Sequence, residues 1–441
     1  MLVNIHRLLL ATALLVFALG SQAQQWTLEQ CLDSARVNNR GLKMAQNEGE
    51  IATSRHQEAQ YARIPKLIAN GEYKYFMDLP TQLLPMSIFG GPEGQFKDAQ
   101  FGVPHSITAN LQLVMPIYDP MTQGAVRTTG IAEKLGEIKA LKTEEQVVQD
   151  ISALYYNAQV LHHQMAYLDS NIINSAALLN TLSLLRQQLL ATGTDVAKVQ
   201  LQHDQAQSSL LKLQSTYDHL LDLLRFSIGL PLDRPFDIVA DVMLPTALDP
   251  ATTRTLDQHM VGLQSDVLSS ELRLLQQSRL PSLSLFGAYG TTGYGYDGSP
   301  NEFLDFYPLS FAGVSLKYPL FNGMVTRKKI EQKRLELSNS RVQVEQVDEK
   351  LDLDRKNASR QIALAESNLV DSRSRIALAE QVYGQVLLQQ REGLVGLTEV
   401  LLADNALREA QQEHIAAMID YLRGTLELQR VNGQLTHYPK N

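Results

Sequence analysis

Two short stretches of this chain are written almost alike, RIPKLIANGEY at 63–73 and RLPSLSLFGAY at 279–289. They keep Arg, Pro, Leu, Gly and Tyr at five matching places, 216 positions apart. After the proline, each alternates strictly. In the first, Leu67, Ala69, Gly71, Tyr73, Tyr75 and Met77 oppose Lys66, Ile68, Asn70, Glu72, Lys74 and Phe76. In the second, Leu283, Leu285, Gly287 and Tyr289 oppose Ser282, Ser284, Phe286 and Ala288. Two further stretches behave the same way. Ile107, Ala109, Leu111, Leu113 and Met115 oppose Ser106, Thr108, Asn110, Gln112 and Val114; Ala312, Val314, Leu316 and Tyr318 oppose Phe311, Gly313, Ser315 and Lys317. A period of two sends successive side chains to opposite faces of a strand. The spacing therefore predicts four strands, each apolar on one face and mostly polar on the other.

Between these strands proline disappears, with none from Pro120 to Pro231 or from Pro319 to Pro439. A run of ~70 residues as a helix would extend ~105 Å, and a helix that long needs lateral partners along its length. The partner seam is legible. Val196, Val199, His203, Ala206, Leu210, Leu213, Tyr217, Leu220 and Leu224 follow heptad spacing. Val400, Ala403, Leu407, Ala410, His414, Ala417, Tyr421, Gly424 and Leu428 repeat that list at an offset of 204. LQLVMPIYDPM (111–121) matches VSLKYPLFNGM (314–324) at an offset of 203, so the duplication runs through the whole chain. The loops at 78–105 and 290–309 differ in length and account for the changing offset.

The expected layout is a signal peptide at 1–23 and a first repeat at 24–235. That repeat holds strands 65–77 and 106–116, a long helix 121–192 and a helix 195–228. A mixed segment follows at 236–254. The second repeat, 255–441, holds strands 281–290 and 310–319, a long helix 323–391 and a helix 397–431. Pro65, Pro116, Pro281 and Pro319 mark the four junctions between helix and strand, because a residue without an N–H fits where one hydrogen-bond pattern ends and another begins.

The N-terminus has a basic Arg7, the apolar run LLLATALLVFALG (8–20) and a small-x-small site at Ser21-Gln22-Ala23, the pattern of a secretory leader cut near Ala23. Beyond it no apolar run reaches the ~18 residues of a membrane helix. An exported chain of this kind is soluble outside the cytoplasm or crosses a membrane as a closed barrel. A soluble antiparallel sheet is the ordinary reading of one-sided strands. The strand length of ~10 residues and aromatic residues near strand ends favour the barrel. Four strands cannot close one, so a barrel requires several copies. Two would give eight strands and a filled interior, three would give twelve and a passage; a homotrimer is favoured. The net charge of −8 argues against a nucleic-acid partner.

This pattern resembles the TolC-like outer membrane efflux family. The likeness rests on the opening WTLEQCLDSARVNN, both strand starts, both strand-to-helix junctions and the turn REGLVGLTEVLLADNALREAQ (391–411). It implies an α+β membrane protein. An all-antiparallel transmembrane β-barrel, four strands per chain and twelve per trimer, would be continued by a long α-helical barrel of coiled-coil hairpins. It further implies a passive exit duct of a tripartite efflux or type I secretion system, joined to a periplasmic adaptor and an inner-membrane pump. The mixed segment would belong to a small domain girdling the tunnel. The tip should lie at the hairpin turns, with Gly193, Thr194, Asp195, Gly393, Leu394, Val395 and Gly396 as adaptor-docking residues. Gly193 and Gly393 suit helix C-termini. Asp195 and Glu399 would ring a constriction, although acids at helix starts also serve simply as caps. Leu402 stands where some relatives carry a second acid.

Little else carries chemistry. His162 and His163 are adjacent and point apart on a helix; His203 and His414 sit on the seam as packing positions. Cys31, the single cysteine, reads as a small apolar residue on the first helix. No nucleophile elbow, phosphate loop or zinc motif is present, and GTTGYGYDG (290–298) is expected to be a surface loop. No enzymatic activity, cofactor or metal is expected. The rival reading from another class is a soluble periplasmic coiled-coil adaptor or scaffold.

Overall fold

The computed structural model describes residues 25–242, 254–296 and 305–435. The expected leader, most of the mixed segment at 236–254 and the centre of the 290–309 loop lie outside the described residues. In chain order the elements are β1 (Gln25–Trp26), α1 (Leu28–Asn38), α2 (Arg40–Tyr61), β2 (Lys66–Tyr75), β3 (Thr81–Pro85), a 3-10 turn (Met86–Phe89), β4 (Phe96–Gln100) and β5 (His105–Tyr118). The long helix α3 (Pro120–Gln187) and its returning partner α4 (Gly193–Ser227) follow. The second half comprises β6 (Asp237–Ile238), α5 (Leu256–Gln277), β7 (Ser282–Gly295), β8 (Asp305–Lys317), α6 (Val325–Arg391) and α7 (Leu397–Val431).

Residue contacts divide the chain into two units, and these are not the two sequence repeats. Each unit gathers matched parts of both halves, as long helices passing through both require. One unit comprises Glu50–Leu135 and Leu263–Val342. Its centre is an antiparallel sheet of order β2-β5-β7-β8. Pairing within each half, β2 with β5 and β7 with β8, is joined across the duplication by β5 with β7. The register keeps the alternating faces intact. Leu67, Leu113, Gly287 and Ala312 line up across all four strands, as do Ala69, Leu111, Tyr289 and Ser310. On the opposite face the Asn70 amide donates to Asn110 Oδ1 at 3.2 Å and to Gln112 Oε1 at 3.3 Å. Leu67, Tyr289, Val314 and Leu316 remain largely exposed, so the apolar face has no partner among the described residues.

Three expectations about this unit are corrected. The glycine-rich stretch from 290 is not a loop as far as Gly295; it extends β7. A Cβ at Gly290 would lie 2.2 Å from the Ala109 carbonyl oxygen, so glycine there reflects close strand approach, which composition alone mimics as a loop. The 78–105 connection is more than a loop: β3 pairs with β4 from Thr81↔Gln100 to Pro85↔Phe96. Pro116 does not end its strand. It pairs with Ser284 inside β5, and the register shifts between it and Tyr118, a bulge that accommodates a residue without a donor. The helix instead starts after Asp119, which accepts from the Met121 amide at 3.0 Å and the Thr122 hydroxyl at 2.6 Å, with Pro120 at the first helical position. Pro65 and Pro281 immediately precede β2 and β7, and Pro319 follows β8.

The other unit is drawn from the described residues up to Gly49, from Gly136–Gly262 and from Gln343 onward. The opening WTLEQC is explained by a capping box on α1, in which Thr27 and Gln30 exchange hydrogen bonds. β1 pairs in parallel with β6, and Gln159 on α3 donates to the carbonyls of Val239 and Asp241 at 2.8 and 2.7 Å. Cys31 is completely buried with Ile151, Tyr155, Leu224 and Ile238, and burial pushes its thiol up to about 12, away from reactivity. Along the hairpins the heptad positions form the interior: Val199, Ala206, Leu224, Val400, Ala403, Leu407, Ala410, Ala417 and Gly424 are all buried.

The seam histidines are hydrogen-bonded packing residues. His203 Nδ1 lies 2.9 Å from Ser175 Oγ, and His414 Nδ1 lies 3.0 Å from Ser372 Oγ. At an offset of 204 the first pair becomes Leu407 and Ala379, an apolar solution to the same contact. Burial, then the neighbouring Arg373 and His163, hold His414 below the ordinary imidazole value. A base with a depressed folded-state pKa contributes stability that is present above its ordinary value of 6.5 and lost as pH falls through it. Ser372→Ala with His414→Leu should therefore remove part of the stability lost between about pH 7 and pH 5. Thermal midpoints across that range check this; an unchanged acid slope contradicts it.

Candidate functional site

The two hairpin turns lie within one unit and close over a shared core. Leu178 and Leu182 on α3, Val199 on α4, Tyr383 on α6, and Val400, Ala403 and Leu407 on α7 form one buried cluster. Ala191 from the first turn and Leu397 from the second pack against it. Four helices are thus held together just behind the turns by apolar burial. A polar contact adds to the cluster: Asp404 is buried, its carboxyl raised by burial against the pull of Arg408, whose Nε lies 2.9 Å away. Asp404 in turn helps burial push the Tyr383 phenol up to about 12. Sequence reading missed this pair, although the i, i+4 spacing of Asp404 and Arg408 was available.

The turns obey the 204 offset down to single hydrogen bonds. In the first, the Leu189 amide donates to Arg186 O at 3.0 Å and the Leu190 amide to Leu185 O at 2.8 Å. In the second, the Gly393 amide donates to Gln390 O at 3.1 Å and the Leu394 amide to Gln389 O at 2.9 Å. Both helices thus end in the same left-handed stop, with φ of 62° at Leu189 and 71° at Gly393. This corrects the expectation that Gly193, like Gly393, ends a helix. Gly193 is the first residue of α4, and the counterpart of Gly393 is Leu189. The first long helix consequently ends at Gln187 rather than 192, and its partner begins at Gly193 rather than 195. Sequence alone suggested the wrong glycine because a left-handed leucine is unfavourable by roughly 1 kcal/mol or more and is not expected.

The returning helices are capped differently. Thr192 caps α4: its hydroxyl accepts from the Asp195 amide at 3.2 Å, and Asp195 Oδ2 accepts from the Thr192 amide at 3.1 Å and hydroxyl at 2.7 Å. These bonds, the hydroxyl first, hold the Asp195 carboxyl below its usual range. In the second turn Gly396 occupies the cap with no side-chain bond, and Glu399 lies in the first turn of α7. Thr194 lies in the first turn of α4, Val395 immediately precedes the Gly396 cap and Leu402 lies within α7; Leu394 and Leu402 are largely exposed. Asp195 is therefore a capping residue in the isolated chain, whatever else it faces. Among the described residues no group of three or more His, Cys, Asp or Glu side chains could hold a metal ion, and no helix is long and apolar enough to cross a membrane. The structure gives His162 a ring contact with Tyr217, 6.1 Å between centroids.

Residues 259–434 match the family of outer membrane efflux proteins. The chain aligns with the outer membrane protein TolC of Escherichia coli at 20% identity, over 97% of this chain and 86% of TolC. Solved structures share the fold. VceC of Vibrio cholerae superposes with a TM-score of 0.72 at 15% identity, covering 92% of this chain and 96% of that one. The CmeC channel of Campylobacter jejuni gives 0.75 at 13% identity, covering 94% and 87%. Helices dominate this fold, accompanied among the described residues by one four-stranded sheet and two two-stranded sheets. The family match and the aligned relatives indicate an outer membrane efflux protein of the TolC type, and the solved structures share its fold.

Gly393 has open space around it, so a side chain there meets only backbone strain. Gly393→Ala should lower stability by about 1 kcal/mol without changing the fold, measured by chemical denaturation. No loss would mean that the left-handed turn is not held in solution.

Proposed function

We propose that three copies of this chain form the outer-membrane exit duct of a tripartite efflux or type I secretion system. The sheets close a twelve-stranded barrel in the outer membrane, and the hairpins continue it into the periplasm. The turns at 191–195 and 391–399 meet a periplasmic adaptor, which connects the duct to an inner-membrane pump. The duct is passive; the pump supplies the energy and the selection. Cleavage of the leader near Ala23 accompanies export.

One observation carries this reading: a four-stranded sheet with a continuous apolar face and an outer edge at both β2 and β8. A bilayer tolerates a sheet only when every edge is paired, which one chain of four strands cannot achieve. Strand directions alternate across the sheet, so β8 of one copy meets β2 of the next antiparallel, as a closed ring needs. The named relatives, outer membrane proteins and channels, support the same location and role.

Asp195 and Glu399 narrow the periplasmic end in this reading. Protein purified in detergent should have the mass of three chains and give discrete conductances in planar bilayers. Asp195→Ala with Glu399→Ala should raise conductance or weaken its sensitivity to divalent cations. Unchanged values remove the constriction; a water-soluble monomer folded without detergent removes the duct.

A further inference from the structure

The polar face of the four-stranded sheet ends in cations on the side where the helices join it. Lys66 opens β2 and Lys317 closes β8, so both stand at that end, one on each outer strand. The register puts them on the same face as Asn70, Asn110 and Gln112, and both are exposed. Their partners across the ladder are uncharged, Val114 for Lys66 and Ser282 for Lys317, and the next pair along the same face is Ser284 with Ser315. The acids of this face lie elsewhere: Glu72 is paired with Lys74 at 2.8 Å, and Asp305 begins β8 at the far end. Beyond the sheet, Arg55 and Glu58 on α2 line a surface hollow with Lys66 and offset each other in charge, while Asp119 is engaged through both oxygens in starting α3.

We propose that Lys66 and Lys317 form a cationic ring at the helix-side mouth of the barrel and make the duct favour polyvalent anions. This rests on the trimeric duct proposed above and adds the charge class of what it conducts best. A single chain holds the two lysines on opposite edges of its sheet. When β8 of one copy meets β2 of the next, every seam brings the two to one face and one end. Rings of Lys or Arg select anions in pores, because an ion passing the rim exchanges part of its hydration for the surrounding charge. The pairing does not serve assembly, since like charges close together across paired strands weaken the sheet. An ammonium on a flexible stem acts as a point charge rather than a fitted pocket, so charge and not shape is what the ring reads. At physiological ionic strength that charge reaches about 8 Å, which favours ions of high valence passing near the wall.

The test uses the protein purified in detergent and reconstituted in planar bilayers, with inositol hexakisphosphate added to one side and then the other. It should reduce the conductance of the parent. Lys66→Gln with Lys317→Gln should raise the concentration needed about tenfold, the order expected when adjacent unit charges are lost in water. Lys66→Arg with Lys317→Arg should retain the parent's response, and the magnesium sensitivity assigned to Asp195 and Glu399 should not move in either variant. Trimers of the glutamine variant should dissociate in detergent at a temperature no lower than the parent's, because a repulsion has been removed. No response in the parent, or an equal response in the glutamine variant, overturns the ring while leaving the duct intact. Trimers of the glutamine variant that dissociate at a lower temperature give the lysines a structural role and overturn it as well. A parent that forms neither trimers nor conductances removes the duct and the ring together.

Discussion

The backbone of a strand carries donors and acceptors along both sides, and a sheet of four strands leaves two rows of them at its margins. Water can satisfy such rows, but hydrocarbon cannot. In this chain the sheet also has an apolar face that nothing among the described residues covers, from Leu67 and Leu113 on one side to Val314 and Leu316 on the other. A surface that prefers lipid and edges that lipid forbids are compatible only if the edges meet other edges. In the proposed duct, copy number and closure descend from that conflict. The proposed trimer is the smallest closed ring of these sheets that leaves a passage.

The duplication gives the molecule an internal control that few single chains possess. At an offset of 204 each seam position and each turn residue has a second version under nearly the same geometry. Where the versions agree, as in the hydrogen bonds that stop α3 and α6, the backbone dictates the outcome. Where they differ, the side chain is free to report something else. His203 with Ser175 against Leu407 with Ala379 shows that the seam accepts polar and apolar solutions alike. Leu189 against Gly393 is different, because one version carries strain that the other avoids.

Much of the fold was legible because its signals are long and periodic. Strict alternation fixed which side chains share a face, and the observed register joins those faces across all four strands. Heptads identified the buried seam from Val199 to Gly424. What escaped was local and depended on neighbours in space. Glycines at 290 and 293 read as loop, yet in β7 they make room for Asn110 and for the Phe306 ring. Asp119 with Pro120 starts α3 more decisively than Pro116 ends β5, since the cap hydrogen bonds reach forward into the helix. Gly193 drew attention as a helix stop because propensity favours glycine there, whereas the structure assigns the stop to a leucine. Asp404, buried beside Arg408, gives no periodic signal because it departs from the apolar pattern around it.

The proposed duct depends on the meeting of β2 and β8 between copies, and intermolecular disulfides measure that meeting directly. Cysteine at Asn70 on β2 would be combined in turn with cysteine at Phe311, Gly313 or Ser315 on β8, which share its face. Native Cys31 is buried and does not interfere. Oxidation in intact membranes should give, for at least one combination, a ladder of covalent species that ends at three chains. A ladder that ends at two or continues past three, or no intermolecular bond in any combination, would contradict closure by three copies.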